Sequence, residues 1–412
     1  MVLDPDGADA WLDSLAGIGW RPGLERIEAL CEALGRPQDR FRSIHVVGTN
    51  GKTSTTRAAL AILSARDIPS GCMTSPHFER WSERVMVGDR PADPSIWSRS
   101  VTRVRDAVAG VEADLTDSGP ITQFEASVAS EFLCLAESGV EVAVVEAGMG
   151  GRLDATNVLS SEVVVLTSVG LDHTEWLGPT TTDIATEKLA VLDPGATLVT
   201  GPLDPGVTEL ALRIAGDLSC EIVEVAQPEL QDWPRGGFRR LAFELASVAV
   251  ESLIGPSDRE LLDRVARELQ VPGRFELIPG DPDLIFDVAH NPDGIRALTE
   301  AVPEVSGGRP VIAVFGVLSD KDGEAMLEVL RSVADRVILC RPAGGPVDAS
   351  GREATDPAEL AGYASAMGID ALVVEDPSKA IALARAEASS AGGTGGVVLV
   401  CGSHRLRAGL QD

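Results

Sequence analysis

Between Ile44 and Thr56 the chain reads I-H-V-V-G-T-N-G-K-T-S-T-T, and that order of residue types leaves few folds open. The apolar run predicts a strand, Gly48 and Gly51 predict a tight turn, and the Ala/Leu segment from Ala58 to Leu63 predicts a helix. A strand entering a helix through a glycine turn is the building unit of parallel α/β architecture. It is also an anion cradle. Glycine lets the backbone come close to a phosphate, and the first N–H groups of the helix lack an intrahelical acceptor. Lys52 adds a positive charge, while the hydroxyls of Thr53 and Ser54 can reach a phosphate oxygen or Mg²⁺. The spacing is G-x-x-G-K-T; in the ordinary P-loop the first glycine would fall on Val46. A plain βα turn with a surface lysine is the competing reading, and the agreement of strand, turn and helix favours the cradle.

Apolar β-prone runs alternate with helical patterns along almost the whole chain, which extends the parallel α/β expectation. Strands are expected at Glu141 to Gly148, at Val163 to Ser168 and in the run ending at Gly201. Their near-continuous Val/Leu content suits strands covered by helices on both faces. An irregular stretch from Pro202 to Gly237 leads to a helical run, Leu241 to Leu253. Val271-Pro272-Gly273 is the best boundary, dividing the chain into domains 1–271 and 272–412. Beyond it, strands are expected at Leu284 to Val288, Val311 to Phe315, Arg336 to Cys340, Ala371 to Val374 and Val397 to Cys401. Helices such as Glu324 to Val333 and Pro377 to Ala388 separate them, and Ser389 to Gly396 reads as a loop. The fold class expected is therefore α/β: a parallel-sheet P-loop-type nucleotide-binding domain followed by a smaller Rossmann-like C-terminal domain.

The 412 residues carry 35 Lys+Arg against 63 Asp+Glu, a net charge of −28. Such a surface repels nucleic acid and anionic membrane, so neither is expected as a partner. An anionic ligand would need local basic exceptions near the glycine turns. The six cysteines are scattered without a C-x-x-C pair and mostly lie in apolar runs, which reads as reduced, buried thiols. No signal peptide opens the sequence and no apolar run approaches a membrane span, so a cytoplasmic protein is expected.

Further polar motifs sit where strands are expected to end, the place at which open α/β sheets bind ligands. They are T-S-P-H at Thr74 to His77 with E-R at Glu83-Arg84, and Glu146 followed by M-G-G-R-L-D-A-T-N-V. Next come G-L-D-H-T at Gly170 to Thr174 and E-K at Glu187-Lys188. A carboxylate, an imidazole and a hydroxyl near a phosphate turn have the ligand character for Mg²⁺ on nucleotide oxygens. By residue type alone, His173 reads equally as a ligand or a structural histidine; Glu146 could be a helix-capping or ion-pairing carboxylate, but its strand-end placement after V-A-V-V favours function. Lys188 reads as a surface lysine beside Glu187, and Arg152 equally as a site residue or a structural ion pair.

Taken together with G-L-E-R-I at Gly23, T-x-F-E at Thr122, P-G-R-F-E at Pro272, D-V-A-H-N-P at Asp287 and D-K-D at Asp320, these motifs resemble the folylpolyglutamate synthase/dihydrofolate synthase family of the Mur ligase superfamily. The resemblance spans nearly the whole chain, and G-G-R-L-D-A-T-N-V is its most specific run. It implies an ATP-dependent ligase that joins L-glutamate to dihydropteroate or to a folate through an acyl phosphate. It further implies that Thr49, Asn50, Gly51, Lys52, Thr53 and Ser54 hold the triphosphate, and that Ser75, Glu146 and His173 hold two Mg²⁺ ions. Lys188 matches a lysine that becomes carbamylated. Arg274 and Asp287 match ATP contacts, and His290, with Asn291, matches a segment at the domain interface, so that Lys52, Lys188 and His290 are the residues expected to support catalysis. Thr122, Leu153, Asp154 and Ala155 match contacts to the pterin substrate, and a monomer is implied.

Four departures from the family pattern stand out. Thr53 replaces a glycine. The asparagine that reads adenine is missing, with Ala242 or Phe243 in its place, able to pack on the base but not to hydrogen-bond it. Pro202 to Gly237 is short. Val288 replaces a glycine and adds bulk where backbone is expected near the nucleotide, and the tail reads G-S-H-R-L-R. They leave two alternatives: a Mur-type ligase with a non-folate acceptor, and an inactive nucleotide-binding homologue.

Overall fold

A computed structural model of the chain describes residues 2–19, 21–115, 118–226, 236–343, 353–391 and 395–410. It divides into two compact units, Met1–Trp233 with Arg239–Leu269 and Pro234–Phe238 with Gln270–Asp412. The second unit thus takes in, besides Gln270–Asp412, a short segment that includes the first two residues of the long helix Gly237–Ile254.

The first unit is built on an eight-stranded sheet: β1 (Arg42–Val47), β2 (Ser70–Met73), β3 (Val85–Val87), β4 (Arg90–Pro91), β5 (Val142–Glu146), β6 (Val163–Leu166), β7 (Thr197–Thr200) and β8 (Glu221–Glu224). Their order is β4-β3-β2-β5-β1-β6-β7-β8, all parallel from β2 onward, with β3 and β4 antiparallel at one edge. The valine-rich strands do lie inside, and alternate residues face opposite layers. Ile44, Val46, Val142 and Val144 pack in one core with Leu60 and Leu63 of the helix Lys52–Ala65 and Phe243 of the helix Gly237–Ile254. On the other face, Ala143 and Val145 meet Phe132 and Leu133 of the helix Gln123–Glu137, and Val47 and Leu166 meet Ala185 and Leu189 of the helix Thr181–Leu189.

This order matters for function because β2, β5, β1 and β6 are parallel neighbours. Met73 pairs with Val145, Val46 with Glu146, and Val47 with Leu166, so four strands end on the same rim of the sheet. The segments after them are the polar motifs singled out above. Pro202 to Gly237 is less irregular than its composition suggests: the helix Pro205–Asp217 and strand β8 occupy most of it, and 227–235 lies outside the described residues.

The second unit carries a six-stranded sheet of β9 (Glu276–Ile278), β10 (Asp283–Phe286), β11 (Val311–Phe315), β12 (Arg336–Leu339), β13 (Ala371–Val373) and β14 (Val397–Cys401). The order is β13-β12-β11-β14-β10-β9, parallel except for the edge strand β9. The helix Pro377–Ser390 runs two residues into the stretch read as a loop, of which 392–394 lies outside the described residues. All six cysteines are free, and five are buried. No helix among the described residues is long and apolar enough to cross a membrane.

Candidate active site

The glycine turn after β1 is held from the side by the segment after β6. Thr167 donates its hydroxyl to the Asn50 carbonyl at 2.7 Å, and the Asn50 N–H donates to Ser168 Oγ at 2.9 Å. Thr49 N–H reaches the Ser168 carbonyl at 2.9 Å, and its hydroxyl accepts from Gly170 N–H at 3.0 Å. The contact is close enough to require glycine. Gly48 has φ +153°, and a Cβ there would fall 1.9 Å from Thr167 Oγ1. Gly51, with φ +88°, leads directly into the helix that begins at Lys52, so the turn does meet a helix N-terminus. Lys52 Nζ donates to the Gly48 carbonyl at 2.9 Å and to the Thr49 carbonyl at 3.2 Å, which keeps its charge over the turn.

Glu146, at the end of β5, is only 5% exposed. Its carboxylate accepts from Thr53 Oγ1 at 3.0 Å and from the Ser75 N–H at 3.3 Å, joining the phosphate turn, the β2 exit and the β5 exit at one acidic group. His173 stands at the start of the short helix Thr174–Leu177 with φ +51°, its Nε2 3.9 Å from Asp172 Oδ1. Among the described residues no three His, Cys, Asp or Glu side chains form a metal cluster. Mg²⁺ does not need one: it keeps several waters and binds through one or two carboxylates together with phosphate oxygens. A single buried carboxylate flanked by hydroxyls beside a phosphate turn has donor chemistry that fits it.

Lys188 is not the surface lysine its E-K context suggested. It is 4% exposed, and Nζ donates to the Gly48 carbonyl at 2.8 Å. Burial, and secondarily the nearby Lys52 charge, pull its pKa down to about 7 against the opposing pull of Asp172 and Asp154. Its helix also supports the next motif. Arg152 N–H donates to the Glu187 carbonyl at 2.9 Å, and a Cβ on Gly151 would fall 2.5 Å from that oxygen. Arg152 itself pairs with Glu187 at 2.9 Å, the ion-pair reading of that residue.

Thr122 and Asp154 are engaged in holding backbone. Thr122 caps the helix Gln123–Glu137 in a reciprocal box with Glu125, whose carboxylate also pairs with the buried Arg26 at 2.9 Å. Asp154 accepts from Met149 N–H at 2.7 Å and from Thr156 N–H at 3.0 Å, and burial raises its pKa. Leu153 is half-buried and Ala155 buried within the same turn. Beyond β2, Glu83 gathers the N–H groups of Phe78, Glu79 and Arg80 at 2.7–3.0 Å, and Arg84 Nε donates to His77 Nδ1 at 3.0 Å. These contacts shape the segment after Ser75.

In the second unit Asp287 is buried after β10 and accepts from Phe275 N–H at 2.6 Å and Ala289 N–H at 2.7 Å. Arg274 donates to the Gly273 carbonyl at 3.2 Å. His290 Nδ1 lies 3.0 Å from the Val288 carbonyl, and Asn291 caps the helix Pro292–Ala301. Val288 is buried at 5% exposure. One expectation needs correction. Ala242 and Phe243 are 4% and 0% exposed, with Phe243 in the core under β1, so neither presents a face to adenine.

Comparison with known proteins follows the same lines. The description "Mur ligase, glutamate ligase domain" matches residues 273–404. The dihydrofolate synthase/folylpolyglutamate synthase of Mycobacterium tuberculosis is 33% identical over 77% of this chain and 74% of its own length. The Escherichia coli enzyme of the same name is 31% identical over 98% of this chain and 94% of its own. The chain belongs to the folylpolyglutamate synthase/dihydrofolate synthase family. Its fold agrees with the solved M. tuberculosis folylpolyglutamate synthase complexed with ADP and AMPPCP, at a TM-score of 0.90 and 28% identity over 99% and 98% of the two chains. E. coli FolC in complex with DHPP and ADP gives 0.85 and 26% over 98% and 96%. A bifunctional family member with Mn, AMPPNP and L-glutamate bound gives 0.83 and 28% over 100% and 98%.

Within this family frame, several supporting residues carried no assigned role in the sequence. Thr167 and Ser168 were visible only as the polar end of V-V-V-L-T-S, and Arg26 only as part of G-L-E-R-I. Glu131 lies in the apolar run after T-x-F-E, buried, with its carboxyl 4.0 Å from Arg84. Partners 99 residues apart, such as Arg26 and Glu125, leave no local pattern to read.

Proposed function

We propose that this chain ligates L-glutamate to the carboxylate of dihydropteroate or a folate at the expense of ATP. The observation that carries the reading is Glu146, a buried carboxylate reached at once by the phosphate-turn hydroxyl of Thr53 and by the Ser75 backbone. In the reaction, an acceptor carboxylate oxygen bonds to the γ-phosphorus and ADP leaves. The glutamate amine then attacks the acyl carbon, phosphate departs, and the amine loses a proton.

The chain's own groups suit the first step. The turn at 48–52 would bring the N-terminus of the helix Lys52–Ala65 and the Lys52 ammonium to the polyphosphate, which offsets repulsion between two anions. Glu146, Ser75, Thr53 and His173 would hold divalent metal, which supplies charge neutralisation on the phosphoryl oxygens when bound. Lys188, with its pKa near 7, has a neutral amine at mildly alkaline pH. That state is required for addition to CO₂, so its carbamylation belongs to this reading. The carbamate would place an anion where Gly48 and Lys52 lie. Leu153, Asp154 and Ala155 with Thr122 would border the acceptor, and Arg274, Asp287 and His290 would serve the nucleotide.

The test is phosphate release coupled to ATP with dihydropteroate or tetrahydrofolate as acceptor and L-glutamate as amine. Glutamate-dependent turnover with either acceptor supports the reading. Turnover only with another carboxylate would replace it with a non-folate ligase, and ATP binding without turnover on any acceptor would indicate an inactive homologue.

A further inference from the structure

The central strand β1 carries one buried titratable side chain that this mechanism leaves unused. His45 lies three residues before Gly48 and is 1% exposed. Its Nε2 is 2.9 Å from Thr156 Oγ1, on the turn after β5. Thr156 Oγ1 in turn donates its proton to Asp154 Oδ1 at 2.6 Å. The hydroxyl then offers the imidazole a lone pair, which makes Nε2 the protonated ring nitrogen. Burial pushes the pKa of the ring down to about 4, so it is neutral. Asp154 completes the path by accepting from Met149 N–H and Thr156 N–H. One relay of hydrogen bonds thus runs from the strand that bears the phosphate turn to the carboxylate that folds residues 148–156. An apolar side chain would fill this position of the core at a lower desolvation cost, so the donor N–H is what distinguishes histidine there.

We propose that His45 is a positioning residue, its Nε2–H fixing Thr156 and Asp154 so that the 148–156 turn holds one register against β1. The proposal rests on the reading that Leu153, Asp154 and Ala155 border the acceptor, and its consequence is specific to the acceptor. The phosphate turn has its own ties to Thr167 and Ser168 and does not depend on the relay.

Three variants separate this role from general core packing. His45→Phe removes the donor and keeps an aromatic ring, His45→Gln keeps a side-chain N–H, and Thr156→Val breaks the relay at its middle. His45→Phe and Thr156→Val should each raise the KM for dihydropteroate roughly tenfold, leave the KM for ATP within about threefold, and not compound when combined. His45→Gln should recover most of the loss. Amide hydrogen exchange over 148–156 should accelerate about tenfold in the first two variants, with 49–54 unchanged. Equal rises in both KM values, no recovery with glutamine, or faster exchange spread evenly through β1 and its neighbours would overturn the proposal. Should His45→Phe fail to fold, Thr156→Val carries the same readouts. Should the wild-type protein turn over neither dihydropteroate nor folate, the ligase reading fails, while the exchange pattern still decides the role of His45.

Discussion

Replacing Gly48 by alanine tests the architecture of the phosphate turn at its tightest point. The new Cβ would lie 1.9 Å from Thr167 Oγ1, 3.1 Å from Thr167 Cβ and 3.1 Å from the Ser168 nitrogen, at a φ of +153° that L side chains rarely adopt. Backbone strain of this kind costs about 1–3 kcal/mol. Thr167 must also swing away and lose its 2.7 Å bond to the Asn50 carbonyl, which adds about 1 kcal/mol. The total of about 2–4 kcal/mol falls on the segment that would hold the triphosphate. If it must be met whenever the turn adopts its binding shape, ATP affinity should fall by roughly 30-fold or more. Titration calorimetry with MgATP measures this directly, and thermal unfolding reports the cost to the unligated fold. Thr167→Ala alone should cost only its hydrogen bond, about 1 kcal/mol. Because that change also removes the worst overlap, Gly48→Ala combined with Thr167→Ala should be milder than the sum of the two by at least ~0.5 kcal/mol. Unchanged ATP affinity in Gly48→Ala, or strict additivity in the double variant, would refute the claim that Thr167 dictates glycine at position 48.

Other perturbations probe the neighbouring groups. Glu146→Gln keeps one oxygen to accept from Thr53 but removes the charge; kcat should drop on the order of 100-fold or more with little change in melting temperature, as measured by phosphate release and a thermal scan. Since the pKa of Lys188 lies near 7, its amine is protonated below that pH and free to add CO₂ above it. Carbamate occupancy should therefore rise between roughly pH 6 and 8, followed by NMR with ¹³C-bicarbonate, and a flat profile would count against carbamylation. Arg26→Met strands the buried Glu125 carboxylate without its guanidinium partner and should destabilise the first unit by about 3–5 kcal/mol, visible in a denaturant titration.

The sheet and most helices were legible because the valine-rich strands are buried on both faces and therefore lack ambiguity of pattern. β11 and β14 occupy the residues expected, Val311–Phe315 and Val397–Cys401. β2 was harder: Ser70–Met73 reads S-G-C-M, four residues with no alternation or β-branching, and it is a strand because β5 and β3 pair with it on either side. The helix Pro205–Asp217 was hidden within a stretch read as irregular, although Pro205 stands at the first helical position, where proline is compatible with a helix. At the candidate site the turn glycines and Lys52 were readable from local order. The burial of Lys188 was not, because an E-K pair on a helix looks the same whether it faces solvent or packs against Gly48.

The corrected expectation has a physical origin. The resemblance puts Ala242 or Phe243 near a nucleotide, but an apolar side chain is drawn toward the core of its own unit. Phe243 is fully buried with Val46, Val144 and Val199. A substitution from polar to apolar therefore changes which way a position contributes: it adds to the core and withdraws from the ligand. Ala242 and Phe243 offer no hydrogen-bonding side chain to the adenine edge, and we propose that ATP is held chiefly through phosphate and ribose. The expected consequence is weak base discrimination. GTP should replace ATP in the ligase assay with a kcat/KM within about tenfold, since a single missing base hydrogen bond is worth no more than that. A preference for ATP of roughly 1,000-fold would show that other residues read the base and would overturn the argument.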